Sequence, residues 1–171
     1  MDRFGHLKST VKKLSQMNGG LSVQEHDQLL KCIQTGHSYM RTHFAYNIEM
    51  ESQVASHCVK CAISDPSNTV FADRCSITHS ATCHQCDNLS SIFIALRTCI
   101  NRLKSGNGPH LVLNECQDLE YDVKQAEKAI FHYRHHLLRS YAQTSDWDTL
   151  MHEMKPDTCF IIQDWNMKWY V

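Results

Sequence analysis

His57-Cys58-Val59-Lys60-Cys61, followed by Cys75-Ser76-Ile77-Thr78-His79-Ser80-Ala81-Thr82-Cys83-His84-Gln85-Cys86, holds five of the nine cysteines and three of the twelve histidines of this 171-residue chain. Soft thiolates and imidazoles at such spacing are what a tetrahedral zinc ion needs. A closed structural site takes four ligands. Cys75, His79, Cys83 and Cys86 supply four. Steps of four and three would bring them close to one face of a helix. One regular helix cannot surround a tetrahedron, so at least one ligand is expected from elsewhere, with Cys58 or Cys61 the obvious donor. A competing arrangement pairs Cys58/Cys61 with Cys83/Cys86 as two facing knuckles. Cys75 and His79 would then be spare, or would complete a second site with His57. Structural zinc is expected over free thiols or disulfides.

Working outward, the flanks read as helices. Leu7, Val11 and Leu14 have helical spacing over residues 3–16, and Asn18-Gly19-Gly20 ends that segment. Ser22 and Glu25 form a capping-box pattern. Leu29, Ile33, Met40 and Phe44 then predict a helix over residues 23–47, with Gly36 a point of kinking. Asp65-Pro66-Ser67-Asn68 reads as a turn. Beyond the cluster, Leu89, Ile92, Phe93, Leu96, Ile100 and Leu103 predict an amphipathic helix over 88–103. Ser105-Gly106-Asn107-Gly108-Pro109 breaks it. Leu119, Val123, Ala126, Ile130, Tyr133, Leu137 and Tyr141 form a heptad-like seam. An antiparallel helical hairpin is the natural packing, and a dimeric coiled coil its alternative.

Ser145 or Asp146 is placed to cap a last short helix through Met154. Residues 159–171 are rich in aromatic and β-branched types and read as a strand, a turn and the start of a second strand. The predicted fold is mainly α, with a zinc-stapled Cys/His centre, a long antiparallel helical hairpin and a short C-terminal β segment. The predicted organisation is N-terminal helices over 1–50, the Cys/His zinc-binding segment over 51–88, the hairpin over 89–143, and a short helix with the β segment over 144–171.

Composition narrows the function classes. Hydrophobic residues make up 42%, which suits a globular chain. A formal net charge of -1 and a pI near 6.8 give no overall electrostatic footprint for nucleic acid, so DNA binding would need a local patch. Lys8, Lys12, Lys13, Arg97, Arg102, Lys104, Arg134 and Arg139 are its candidate members. No apolar run is long enough to span a bilayer, so no membrane partner is expected. The polar start shows no signal peptide, and the location expected is nuclear or cytoplasmic. Cys32, Cys99 and Cys116 read as core or surface thiols, and His132, His135 and His136 as a solvated face. No cysteine has a visible base or oxyanion hole beside it.

Three segments together resemble a group of animal proteins derived from mobile elements. They are His57-Cys58-Val59-Lys60 through Ser64-Asp65-Pro66, Tyr121-Asp122-Val123-Lys124-Gln125-Ala126, and Ile162-Gln163-Asp164-Trp165-Asn166-Met167-Lys168. In that group a Cys/His-rich region and a long helical hairpin precede a segment of the form D-W-x-M-K, the opening strand of an RNase H-like core. The resemblance implies cluster positions at Cys58, Cys75, His79, Cys83 and Cys86. It also implies a first catalytic carboxylate at Asp164. Cys61 departs from it, since an aromatic residue stands there in the group, which tells against the two-knuckle pairing. A complete core would need further carboxylates and two divalent ions. Mg²⁺ therefore enters only if Asp164 belongs to a core completed elsewhere, and this chain is expected to be a non-catalytic, truncated region.

The leading expectation is the zinc-binding N-terminal region of a transposase-derived protein, with a nucleic-acid-recognition or assembly role. The partner is then DNA or another protein, with self-association through the seam open. The alternatives are a zinc-stabilised protein-interaction module and a thiol redox sensor.

Overall fold

The computed structural model describes residues 3–64, 75–105 and 110–159. The chain is mainly helical, with five α-helices among the described residues. These are α1 (Arg3–Gln16), α2 (Val23–Thr42), α3 (Val59–Ile63), α4 (His84–Ser105) and α5 (His110–Glu153). Short 3-10 turns stand at Phe44–Asn47 and Ala55–His57. No helix among the described residues is long and apolar enough to cross a membrane.

The apolar stripes account for the packing. Phe4, Leu7, Val11 and Leu14 of α1 are buried with Leu29, Ile33 and Met40 of α2. Leu89, Ile92, Phe93, Leu96, Ile100 and Leu103 of α4 complete one continuous core with Cys116, Leu119, Val123, Ala126 and Ile130 of α5. The α1–α2 turn needs glycine twice. Gly19 has φ 77, and a Cβ on Gly20 would stand 1.9 Å from the Leu14 carbonyl oxygen. Ser22 and Glu25 form the expected capping box, with the Ser22 N–H 2.7 Å from Glu25 Oε2. Arg102 of α4 braces this turn by donating to the Gly20 carbonyl at 2.7 Å and pairing with Glu25 at 3.5 Å.

Ion pairs report the direction of α4 against α5. Lys104 pairs with Glu120 and Arg97 with Glu127, so one helix is followed backwards as the other runs forwards. The two helices therefore lie antiparallel.

Several details differ from the sequence reading. Helix α2 stops at Thr42, and the chain tightens into a 3-10 turn that carries Phe44 into the core. Gly36 is a buried packing position, since a Cβ there would lie 3.0 Å from Leu89 Cδ1. The heptad seam holds only to Ile130. Beyond it Leu138 and Ala142 are buried, whereas Tyr133 and Tyr141 are exposed. A straight helix drifts about 20° per heptad against a 3.5-residue repeat, which rotates the later positions outward. No separate helix starts at Ser145 or Asp146. Nothing in the sequence between His110 and Glu153 breaks a helix, so α5 runs on for 44 residues, about 66 Å at 1.5 Å per residue. The expected turn at 65–68, residues 106–109 of the expected helix break, Asp164 and all of the β segment expected over 159–171 except Cys159 lie outside the described residues.

Candidate metal centre

Between α2 and α4 the described residues have little regular structure, and a few backbone bonds tie them together. The Glu49 N–H donates to the His57 carbonyl at 3.2 Å, and the Val59 N–H donates back to the Glu49 carbonyl at 3.0 Å. The Ala81 N–H donates to the Gln53 carbonyl at 3.2 Å, which lays the 75–83 strand of chain beside the 49–58 loop. Cys58 has extended backbone (φ -82, ψ 117). Successive side chains in extended chain point to opposite sides. His57 and Cys58 therefore serve two different groups.

The first group is Cys58, Cys75 and His79. Cys58 and Cys75 sulfurs are 3.7 Å apart, and Cys75 Sγ is 3.5 Å from His79 Nε2. Around a tetrahedral zinc, bonds of ~2.3 Å to sulfur and ~2.0–2.1 Å to nitrogen give S–S edges of ~3.8 Å and S–N edges of ~3.6 Å. The observed separations fit those edges. His79 Nδ1 lies 3.0 Å from the Ser52 carbonyl oxygen and donates to it, which leaves the Nε2 lone pair facing the group. A metal-binding imidazole is commonly fixed in that way. Cys61 follows Cys58 by one turn of α3. Burial pushes its thiol up, and the neighbouring Cys58 and Cys75 sulfurs add to the effect, so it borders the same group.

The second group is His57, Cys83 and Cys86. It lies deeper, against Tyr39 of α2 and the start of α4. Cys86 Sγ is 3.4 Å from His57 Nε2. The Tyr39 hydroxyl is 2.8 Å from His57 Nε2, 3.4 Å from Cys83 Sγ and 3.6 Å from Cys86 Sγ. Phe44 meets the His57 ring edge-on at 5.5 Å. Burial, then the charge of Arg134, holds His57 below the usual imidazole value, which keeps it neutral and able to donate a lone pair. Burial raises the Cys83 thiol, but the Tyr39 hydroxyl and the N–H groups of Cys86 and Gln85 outweigh it and bring the thiol down. Cys86 is pushed up by burial, against hydrogen bonds from Ser56 and Tyr39. Tyr39 itself is raised by burial and by its hydrogen bonds to Cys83 and Cys86.

The structure thus brings together six of the residues singled out in the cluster, divided as 58/75/79 and 57/83/86, and leaves Cys61 in neither set, at the border of the first. Residues 75–80 are not helical, and α4 begins only at His84, so Cys75 and His79 are free to turn away from Cys83 and Cys86. Each group can hold a metal ion. Sequence reading passed over Tyr39. Its only signal is its place on the buried face of α2 with Ile33, Gly36 and Met40. Cys99 and Cys116 are buried core thiols away from both groups, and Cys32 is half-buried on α2. His132 and His136 are exposed, and the His135 ring packs at 4.1 Å from Phe131.

No protein-family model, no curated protein and no solved structure matches the chain.

Proposed function

We propose that the chain is a non-catalytic zinc-binding module that fixes a helical scaffold for assembly with another protein or a second copy of itself. The observation that carries it is the pair of Cys/His groups lying side by side between α2 and α4. Thiolate and imidazole donors in tetrahedral sets favour zinc over harder cations. In this reading Cys58, Cys61, Cys75 and His79 close round one ion. His57, Cys83 and Cys86 hold a second.

Two features favour assembly over nucleic-acid recognition. Three of the candidate basic residues, Arg97, Arg102 and Lys104, are already paired with Glu127, Glu25 and Glu120. Residues 143–153 of α5 contain no buried position, while Tyr141, Leu150 and Met151 are exposed along that end. Helical turns gain most of their stability by burying a face against something else. The resemblance to transposase-derived proteins supplies a context, in which this module would precede a catalytic core and Asp164 would be that core's first carboxylate.

Native mass spectrometry of protein purified under reductant tests the metal reading, with two zinc ions per chain expected. Folded protein free of any bound transition metal would overturn it. Sedimentation tests the scaffold role, and concentration-dependent association lost in Leu150→Glu/Met151→Glu is the expected result. A strictly monomeric chain that binds duplex DNA with a steep salt dependence would replace assembly by nucleic-acid recognition.

A further inference from the structure

We propose that Tyr39 is the fourth ligand of the second group, so that the ion there is held by His57 Nε2, Cys83 Sγ, Cys86 Sγ and the Tyr39 oxygen. The inference rests on the metal-binding reading above and adds a donor that is neither cysteine nor histidine.

The distances carry it. With bonds of ~2.3 Å to sulfur and ~2.0–2.1 Å to nitrogen or oxygen, a tetrahedral zinc site has O–S and N–S edges of ~3.5–3.6 Å and an O–N edge of ~3.3 Å. The Tyr39 oxygen stands 3.4 and 3.6 Å from the two sulfurs and 2.8 Å from the imidazole nitrogen, and Cys86 lies 3.4 Å from the same nitrogen. The distances to sulfur match those edges and place the oxygen on the side of the group that its three donors leave open. The 2.8 Å contact to Nε2 is a hydrogen bond about 0.5 Å shorter than the O–N edge, and it lengthens once the metal displaces the phenol proton.

The other cysteine and histidine candidates for the fourth vertex are placed elsewhere. Among the described residues, His79 and Cys75 belong to the first group, and Cys61 borders it. His43 bonds to Thr42, and the His37 ring lies against Phe4. His84 is exposed.

The chemistry balances without a co-reactant. On binding, the phenol O–H bond breaks, the proton leaves to solvent and a metal–oxygen bond forms, with no change of oxidation state. Burial alone favours the neutral phenol, and a divalent cation at bonding distance reverses that preference. Two thiolates, a phenolate and a dication leave one negative charge. The guanidinium of Arg134, 5.0 Å from the Phe131 ring centroid, carries a positive charge that reaches His57 and is opposite in sign.

The rival arrangement keeps Tyr39 protonated, donating to the thiolates, with water as the fourth ligand. Zinc titration of the metal-stripped, reduced full chain separates the two by near-UV difference absorption, which reports ionised tyrosine. Two ions are expected per chain, with a tyrosinate band at neutral pH. The band should persist in Tyr46→Phe, since Tyr46 is exposed on the surface, and vanish in Tyr39→Phe. Tyr39→Phe keeps the buried ring and should still bind the first ion, while the affinity for the second falls more than about 100-fold. A residue that only bonds to a ligand typically costs 10–100-fold. Two bound ions with no tyrosinate band, at whatever affinity in Tyr39→Phe, would overturn the inference and leave the metal-binding reading standing. No bound ion at all would overturn both. If Tyr39→Phe does not fold, the presence or absence of the band in the unaltered chain decides by itself.

Discussion

The helical body and the segment between α2 and α4 are held by different physics. In the body, α1, α2, α4 and the first half of α5 close over an apolar core that includes Leu7, Leu14, Ile33, Leu96, Ile100 and Val123, all fully buried. Among the described residues between Phe44 and Cys83 the buried apolar anchors are few, Phe44, Ile48 and Val59 chief among them, with Met50, Ala62 and Ile63 half-buried beside them. Regular structure among the described residues there amounts to two 3-10 turns, two isolated bridges and the five residues of α3. What that segment has instead is polar and soft: the four cysteine sulfurs of Cys58, Cys61, Cys75 and Cys83 and the imidazoles of His57 and His79, joined by Cys86 and Tyr39 from the helices on either side. With the proposed ions bound, this sparsely packed insert would gain a crosslink that the helical body does not need.

Removing the crosslink is the most severe test of this contrast. Structural zinc is worth about 10–16 kcal/mol in small fingers, against about 5–15 kcal/mol of net stability for a whole domain. Chelation is therefore expected to abolish hydrogen-exchange protection at the amides of Cys58, Val59, Lys60 and Ala62, while Ile92 to Ile100 of α4 stay protected. Unchanged exchange at Cys58 to Ala62 would mean that Phe44, Ile48 and Val59 hold the insert unaided.

The converse perturbation strikes the body. Leu96 is fully buried in α4, and Leu96→Ala is expected to cost about 2–5 kcal/mol by transfer and cavity formation. Denaturant melting should show the loss, while the number of bound ions, counted by mass spectrometry under native conditions, should not change. A variant that lost metal as well would show the two regions to be one cooperative unit.

This contrast also explains what could be read in advance. The apolar positions of α1 and α4 repeat at three and four residues, so their buried faces were legible, as was the Ser22/Glu25 cap. Chain direction in α4 and α5 followed from the short connection between them. The end of the seam was not legible, because a 3.5-residue repeat and a straight helix part company only after several turns. The cluster was legible as a set and not as a partition. Spacing says which donors are near in sequence, but the extended backbone at Cys58 sends His57 and Cys58 to opposite sides. Nothing in the spacing singles out Tyr39, which reaches the group from another helix.

A smaller effect is expected from the surface of the body. Arg97 and Glu127 join α4 to α5 in a half-exposed ion pair. Such pairs contribute about 0.2–1 kcal/mol. A double-mutant cycle with Arg97→Ala and Glu127→Ala should return a coupling in that range that shrinks with added salt. A coupling well above it would assign the α4–α5 contact to charge rather than to the buried seam.

The mildest change tests the join between the two regions. Gly36 lies one turn before Tyr39 on the same buried face of α2, and Leu89 lies one turn after Cys86 on α4. A Cβ at position 36 would come within 3.0 Å of Leu89 Cδ1, the far end of a flexible side chain. Alanine in place of glycine gains about 0.8–1.0 kcal/mol of helix propensity. Moving Leu89 by a few tenths of an ångström costs a similar amount, so the melting point of Gly36→Ala should change little. The second group should feel the shift, because Tyr39 and Cys86 ride on the two helices being pushed apart. Its zinc affinity is expected to fall a few-fold while that of Cys58, Cys75 and His79 is unchanged, as competitive chelator titration would read. Equal loss at both groups would mean that the insert, and not the α2–α4 contact, sets the geometry of the second.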